Sequence, residues 1–473
     1  MPSSERFDTI VIGAGMSGLA AGIRLAMFDQ RVLILERHSL WGGLNSFYKR
    51  AGRRLDVGLH ALTNYMHPRS PGAKGRPLAR VLRQLRIPFA DLQLGEQSQS
   101  AIAFPEARLA FGNDFALLRS EIAQTFPDQL AGLDRLTADI KAYPTLSPSG
   151  DARPTRDVLA GYFSDPLLIE MLLLPVCYYG SPTPNDLGWD QFVVLFKSLY
   201  EEGFARPRGG VKTILDALRG RYLEVGGELR MRAGVERIQH DGERATGVVL
   251  SGGEVLEADC ILSSAGAVET RALCELDEAV DRESADTGQL SFVESISILD
   301  QSSAALGNPD TIVFFNAAPQ LVYDVPAGPI DLRSGVICCP DNYAGQDEDM
   351  PGTLRLTLLA NPAQWNGFAD AEYEAQKVRA LTDGMEAITP FASDVRAHTV
   401  YTDTFTPRTI EKFTGHPNGA VYGSPNKRFD GRTEVEGLFL CGTDQGYLGI
   451  VGTMLSGVAM ANQHALAAGG QLR

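Results

Sequence analysis

A chain of 473 residues, 44% of them hydrophobic, can bury an extensive core, and its length suggests two or three domains. The formal net charge of -15 sets the average surface against polyanions and excludes a general role in binding nucleic acid. Six cysteines form no C-x-x-C pair and seven histidines no zinc-ligand spacing, so no metal site is expected and the thiols read as reduced and mostly buried.

Met1 to Phe7 lacks an apolar signal core, which points to a cytoplasmic protein. Phe7 to Ile12 reads as a short strand, Gly13-Ala14-Gly15-Met16-Ser17-Gly18 as a turn, Leu19 to Phe28 as a helix and Arg31 to Leu35 as a second, buried strand. This order is the opening of a dinucleotide-binding fold. Gly13 permits the tight turn, Gly15 lets the backbone approach a pyrophosphate, and Gly18 allows close helix packing. Glu36 ends the second strand about 20 residues on, where an acid receives the ribose hydroxyls. Such glycines alone also occur in ordinary turns; strand, helix, glycines and acid in one order decide for a dinucleotide.

The stretch Lys49 to Arg86 carries ten Lys/Arg against one acid, Asp56, a local excess of nine positive charges in an acidic chain. Part of it falls on Pro77 to Ile87, where Leu78, Val81, Leu82 and Leu85 follow helical spacing. One reading lays this amphipathic segment on an anionic membrane surface as a peripheral contact that admits a lipid-soluble substrate. The other is a solvated helix face whose apolar side packs on the protein. From Pro77 to about Tyr200 the pattern is mainly helical, with helices bounded by prolines and few strand signals. Ser147 to Thr155 reads as an exposed connection. Leu167 to Tyr179 is apolar but interrupted by Glu170 and Pro175, too short to cross a bilayer.

Between Val211 and Gly266 the pattern returns to α/β: a helix over Thr213 to Tyr222, strands at Val235 to His240 and Ala245 to Leu250, and an apolar run at Cys260 to Leu262. From Ser291 to Val400, strands at Thr311 to Phe315, Gly335 to Cys339 and Thr353 to Leu359 accompany a helix over Ala369 to Met385, which predicts a separate sheet. Near the end, a strand at Leu438 to Cys441 leads into Gly442-Thr443-Asp444, which can set a carboxylate and backbone amides near a phosphate-bearing ligand. Gly452-Thr453 is expected to open a helix from Met454 to Leu466 and aim free N–H groups at the electron-rich edge of a ligand.

The run Glu36-Arg37 through Trp41-Gly42-Gly43, then Gly52 and Asp56-Val57-Gly58-Leu59-His60, resembles the flavin-dependent phytoene desaturase and retinol saturase group within the amine oxidase superfamily. Pro207-Arg208-Gly209-Gly210-Val211, Gly226-Gly227, Val235 and Ala258 to Gly266 are similar to that group's second FAD-contacting block. Thr406-Pro407-Arg408-Thr409 with Phe413-Thr414-Gly415, and Gly437 to Gly457, resemble its closing motifs. The resemblance implies FAD contacts from Gly13, Gly15, Met16, Ser17 and Gly18; from Glu36, Arg37, Gly42, Gly43 and Leu44; from Val235; and from Gly442, Thr443, Asp444, Gly452, Thr453 and Met454. Val235 reads equally as a buried strand residue. His60 would sit near the flavin edge, as an acid or base or as a structural hydrogen-bonder. Leu44 stands where amine oxidases commonly carry arginine, which weakens an amine substrate, and Trp41 where many desaturases have an aliphatic residue.

The expected fold is therefore α/β: a discontinuous Rossmann-type FAD-binding domain (1–75, 205–275, 425–473) with an inserted α+β substrate domain (76–204, 276–424). The expected function is hydride transfer between flavin N5 and an apolar polyene or isoprenoid, in the manner of a desaturase or saturase. Alternatives are a flavin amine oxidase, an FAD-dependent polyene isomerase, and a non-catalytic prenyl-binding protein akin in fold to Rab GDP-dissociation inhibitors. A single dinucleotide fingerprint argues against a tightly bound NADPH, leaving oxygen, a quinone or another carrier as electron partner. Oligomeric state is not written in the sequence.

Overall fold

The computed structural model describes residues 5–143, 150–276, 280–347 and 350–467. Residues 1–4 of the amino-terminal reading and 147–149 of the expected connection lie outside them.

Two sheets organise the chain. The first has seven strands. Its parallel heart runs Glu228–Met231, Val32–Glu36, Glu5–Ile12, Val255–Ser263 and Leu438–Leu440, and a hairpin, Val235–His240 with Ala245–Leu250, adds antiparallel to Val255–Ser263. A parallel sheet is covered on both faces, and its strands are accordingly near-continuously apolar. Val11, Ile34 and Leu262 face one core, whereas Ile10, Leu33, Leu35 and Ile261 face the other. The helices Met16–Ala26, Val211–Glu224 and Gly449–Met460 supply nearly half of the first core.

Glycine sets how closely these layers approach. A Cβ on Gly18 would lie 2.0 Å from the Gly13 carbonyl oxygen, and one on Gly457 would lie 2.1 Å from the Ser17 carbonyl oxygen. The fingerprint helix thus touches both its own turn and the C-terminal helix through backbone alone. Because backbone atoms cannot step aside as a side chain can, Gly18→Ala is expected to lose roughly 1–3 kcal/mol of stability. Calorimetry would register this as a lower thermal midpoint, and an unchanged midpoint would mean that the helix can slide.

The second sheet also has seven strands, ordered Thr399–Phe405, Ser291–Leu299, Thr353–Ala360, Ile330–Cys338, Ile312–Asn316, Ser100–Ala103 and Arg108–Phe111. Helices Phe115–Thr125, Leu130–Ala142, Pro166–Gly180 and Trp189–Phe196 lie with it around a large aromatic core. Several expectations change here. The stretch read as mainly helical, with few strand signals, contributes Leu94–Glu96, Ser100–Ala103 and Arg108–Phe111, and Ser100–Ala103 pairs parallel with Ile312–Asn316. Strands at Glu228–Met231, Ser291–Leu299 and Thr399–Phe405 join those expected. Pro166 and Pro407 do open helices, but Pro175 lies inside one.

Helix Pro77–Leu85 turns Leu78, Val81, Leu82 and Leu85 into the core, each at most 3% exposed. The apolar face that a membrane-surface segment needs is therefore occupied by the protein itself, and only the basic face is left outward. Among the described residues no helix is long and apolar enough to cross a membrane. The six cysteines are unpaired; all but Cys260 are buried.

Candidate active site

A cleft of about 390 Å³ runs along the C-terminal ends of the parallel strands, where open α/β sheets bind their ligands. Gly13 takes φ +97°, a left-handed value that turns the chain at once from strand to helix. Gly15 begins the helix with nothing within 4 Å of the place a side chain would occupy, so its backbone faces open cleft. Gly42, at φ +117°, donates its N–H to the Ala14 carbonyl and brings the second glycine pair against the first turn. Glu36 is buried at the rim. One of its carboxylate oxygens accepts the Ala14 N–H at 3.0 Å and the other the His38 N–H at 2.8 Å, leaving lone pairs for ribose hydroxyls. Glycines that open the turn, a helix N-terminus and a rim carboxylate are the donor and acceptor set that a dinucleotide requires, so these residues fit one.

Met16, Ser17, Arg37, Gly43, Leu44, Val235, Gly442, Thr443, Asp444 and Thr453 also border this cleft. Three of the expected contacts do not. Gly18 is used for packing against the Gly13 carbonyl. Met454 is fully buried in the core, and Gly452 lines a different cavity. The reason is a shift in register: the helix begins at Gly449 rather than after Gly452, because Gly446 (φ +106°) and Gly449 (φ +70°) turn the chain straight into it. Its four free N–H groups are consequently those of residues 449–452. Asp444 is already engaged within the protein: its oxygens accept the Ala267 N–H at 2.7 Å and the Ser424 N–H at 2.8 Å, with Lys427 Nζ at 3.5 Å.

The far wall of the cleft holds groups that the sequence motifs did not single out. His416 Nδ1 lies 2.6 Å from Glu269. Burial opposes a charge on this ring, but the Glu269 carboxylate overcomes it and raises the pKa above the ordinary histidine value. A Cβ on Gly415 would lie 2.6 Å from the Arg37 guanidinium, so a side chain there would displace Arg37 from its place across the glycine.

A second chamber of about 170 Å³ opens off the cleft, sharing Leu44, Asn45, Val421, Thr443 and Thr453 with it. One row of the second sheet makes its wall: Phe405 opposes Glu294, Glu294 opposes Thr357, and Thr357 opposes Val336. Tyr178, Tyr179, Phe292 and Tyr422 contribute aromatic surface. The two ionisable groups among the lining residues besides the tyrosines are His60 and Glu294. His60 Nε2 lies 3.1 and 3.2 Å from the two Glu294 oxygens and 3.1 Å from the Thr357 hydroxyl, which itself donates to Glu294. Arg355 Nε donates to Glu294 at 2.5 Å. Burial works against ionisation of Glu294, yet the Arg355 guanidinium and the His60 ring outweigh it and hold its carboxyl at about 2.

The loop carrying His60 is pinned by its carbonyls. Arg355 donates to Leu59 and Val57, and Arg206 to Leu59 and His60. Asp56 in turn accepts from Arg206 at 2.6 Å and from the Val211 N–H. Gly210 sits so close to Asp56 that a Cβ would fall 2.5 Å from its carboxylate. The motif residues Asp56 and Gly210 thus orient His60 from behind.

Residues 11–82 match the family described as NAD(P)-binding Rossmann-like domain. The chain is 23% identical to the all-trans-retinol 13,14-reductase of Danio rerio, across 95% of this chain and 84% of the reductase. It is 27% identical to the neurosporene-forming phytoene desaturase of Cereibacter sphaeroides, across 57% of this chain and 55% of the desaturase. With the chloroplastic prolycopene isomerase of Arabidopsis thaliana the identity is 24%, across 97% and 82%. Among solved structures, an oxidoreductase from Methanosarcina mazei matches with a TM-score of 0.67 at 18% identity, over 96% of this chain and 99% of that one. Wild-type putrescine oxidase matches with a TM-score of 0.63 at 14% identity, over 98% and 100%. A Rossmann-type cleft with these relatives defines a dinucleotide-binding flavoenzyme, an oxidoreductase by class. Within that class the chain is similar to the phytoene desaturase and retinol saturase-like group.

Proposed function

We propose that the protein binds FAD in the long cleft and acts on an apolar polyene or isoprenoid chain held in the adjoining chamber, as a desaturase or saturase. One observation carries this reading: an aromatic-walled chamber opens directly onto the dinucleotide cleft, and its one charged carboxylate, Glu294, is already neutralised by Arg355. A compact amine buried there would need an unpaired carboxylate, and Leu44 gives the chamber mouth an aliphatic side chain instead.

Bound FAD supplies a two-electron carrier that takes or gives a hydride. The chain's own residues do the rest. The aromatic wall aligns the chain and keeps water out. His60 takes or returns the proton that accompanies the hydride, through the ring nitrogen that Glu294 leaves free.

Purified protein is expected to be yellow and, on denaturation, to release FAD identifiable by fluorescence and mass. Anaerobic mixing with a linear carotenoid or a retinoid is expected to change the flavin spectrum, with the product's double-bond count showing the direction. Release of no isoalloxazine would end the cofactor assignment. Rapid bleaching by amines with none by polyenes would replace the substrate assignment.

A further inference from the structure

A cavity of about 130 Å³ lies beyond the chamber, and Thr63, Tyr179, Leu448 and Gly449 line both. The two spaces meet at a neck whose shape the sequence fixes. Leu448 packs where Gly180 has no side chain, since a Cβ there would lie 2.9 Å from Leu448 Cδ1 and 3.0 Å from Leu195 Cδ1. A larger residue at position 180 would drive Leu448 toward the neck.

We propose that this cavity is a second substrate compartment, which receives the distal end of an elongated apolar molecule and hydrogen-bonds an oxygen at that end through Lys197. The inference rests on reading the chamber as the substrate pocket and adds the shape and end-group of what it holds. Val194, Leu195, Phe429 and Leu455 give the compartment an apolar wall. Its charged side chains other than Lys197 are engaged within the protein. Glu202 is tied to Asn64 and Arg76, Asp190 accepts the Tyr143 hydroxyl and the Asp151 N–H, and Lys427 donates to the Tyr422 carbonyl at 2.6 Å and lies 3.5 Å from Asp444. Lys197 differs. Its ammonium gives one hydrogen bond, 3.1 Å to the Tyr143 carbonyl, and has no carboxylate within ion-pair distance among the described residues. An ammonium has three donors, so two remain for an acceptor in the cavity. A hydroxyl, carbonyl or carboxylate at the end of a linear chain supplies that acceptor, whereas a compact molecule in the chamber would not reach it.

The holoprotein can be titrated with two fluorescent linear probes, trans-parinaric acid and its methyl ester. Val194→Trp fills the compartment from its rim, where Val194 is 37% exposed and folding is least at risk, and Leu448→Trp fills the neck. Both are expected to weaken the acid and the ester about tenfold or more, with flavin content unchanged. Lys197→Met is expected to weaken the acid about tenfold and the ester less, since both carbonyls accept a hydrogen bond from the ammonium but only the acid adds an ion pair to it. Unchanged affinity for both probes in both tryptophan variants would overturn the proposal. So would unchanged affinity with slowed flavin reoxidation, which would make the cavity a passage for the electron acceptor. If the wild-type protein bound neither probe, the apolar-substrate reading itself would fall, a result distinct from loss of binding in the variants alone.

Discussion

Glu294→Ala is expected to destabilise the protein by about 3–5 kcal/mol, the cost of leaving a buried guanidinium without its carboxylate. Glu294 sits in a strand whose nine residues are all buried, and Arg355, 3% exposed at its side chain, has no other ion-pair partner among the described residues. Whole-protein stabilities are commonly about 5–15 kcal/mol, so this single truncation removes a large share. The effect carries a pH signature. Burial opposes the Glu294 charge, but Arg355 and His60 hold its carboxyl at about 2, below the ordinary value of 4.5. A depressed carboxyl pKa means that the unfolded chain takes up protons first. The contribution, of order 3 kcal/mol, is thus complete above about pH 4.5 and is lost as pH falls toward 2. Denaturant unfolding across that window should show the wild type losing stability and Glu294→Ala losing much less. Glu294→Gln keeps the shape and one acceptor, so it should fall between them. If Glu294→Ala unfolded within about 1 kcal/mol of wild type at neutral pH, Arg355 would have found another way to be neutralised.

The dinucleotide cleft could be read from the sequence because its essential parts are local. Gly13, Gly15, Gly18 and Glu36 fall within a single strand–helix–strand unit, and each has a steric or electrostatic reason to hold its place. The chamber could not. Glu294 and Arg355 each interrupt an apolar strand, which is itself a signal that a buried charge needs a partner. Their pairing depends on the register between strands 61 residues apart, and periodicity does not encode register. Ser100–Ala103 is short and carries two alanines, so its strand character comes from pairing with Ile312–Asn316 rather than from propensity. The start of the last helix shows the opposite difficulty. Gly446, Gly449 and Gly452 are equally glycine in sequence, and only the positive φ of the first two separates the turn from the helix it opens.

His60→Phe is expected to slow turnover of a polyene by about 10²–10⁴-fold while flavin content and probe affinity stay near wild type. The hydrogen-bond network assigns the ring's tautomer. Glu294 is ionised and can only accept, so Nε2, at 3.1 and 3.2 Å from its two oxygens, must carry a hydrogen. The Thr357 hydroxyl donates to Glu294 and accepts from the same Nε2, which closes that side of the ring. Nδ1 has no protein partner among the described residues, and in the neutral ring it presents a lone pair. Four hydrogen bonds from Arg206 and Arg355 to the carbonyls of residues 57–60 hold the ring's backbone still, so the orientation exists before substrate arrives. Phenylalanine preserves the apolar wall and removes only the capacity to carry a proton. Rapid-mixing measurement of flavin reduction should therefore show a slower step that loses its solvent deuterium effect, and added imidazole should restore part of the rate. Wild-type reduction kinetics in His60→Phe would mean that the proton travels elsewhere, leaving the pair to Glu294 and Arg355 as a structural lock on the chamber wall.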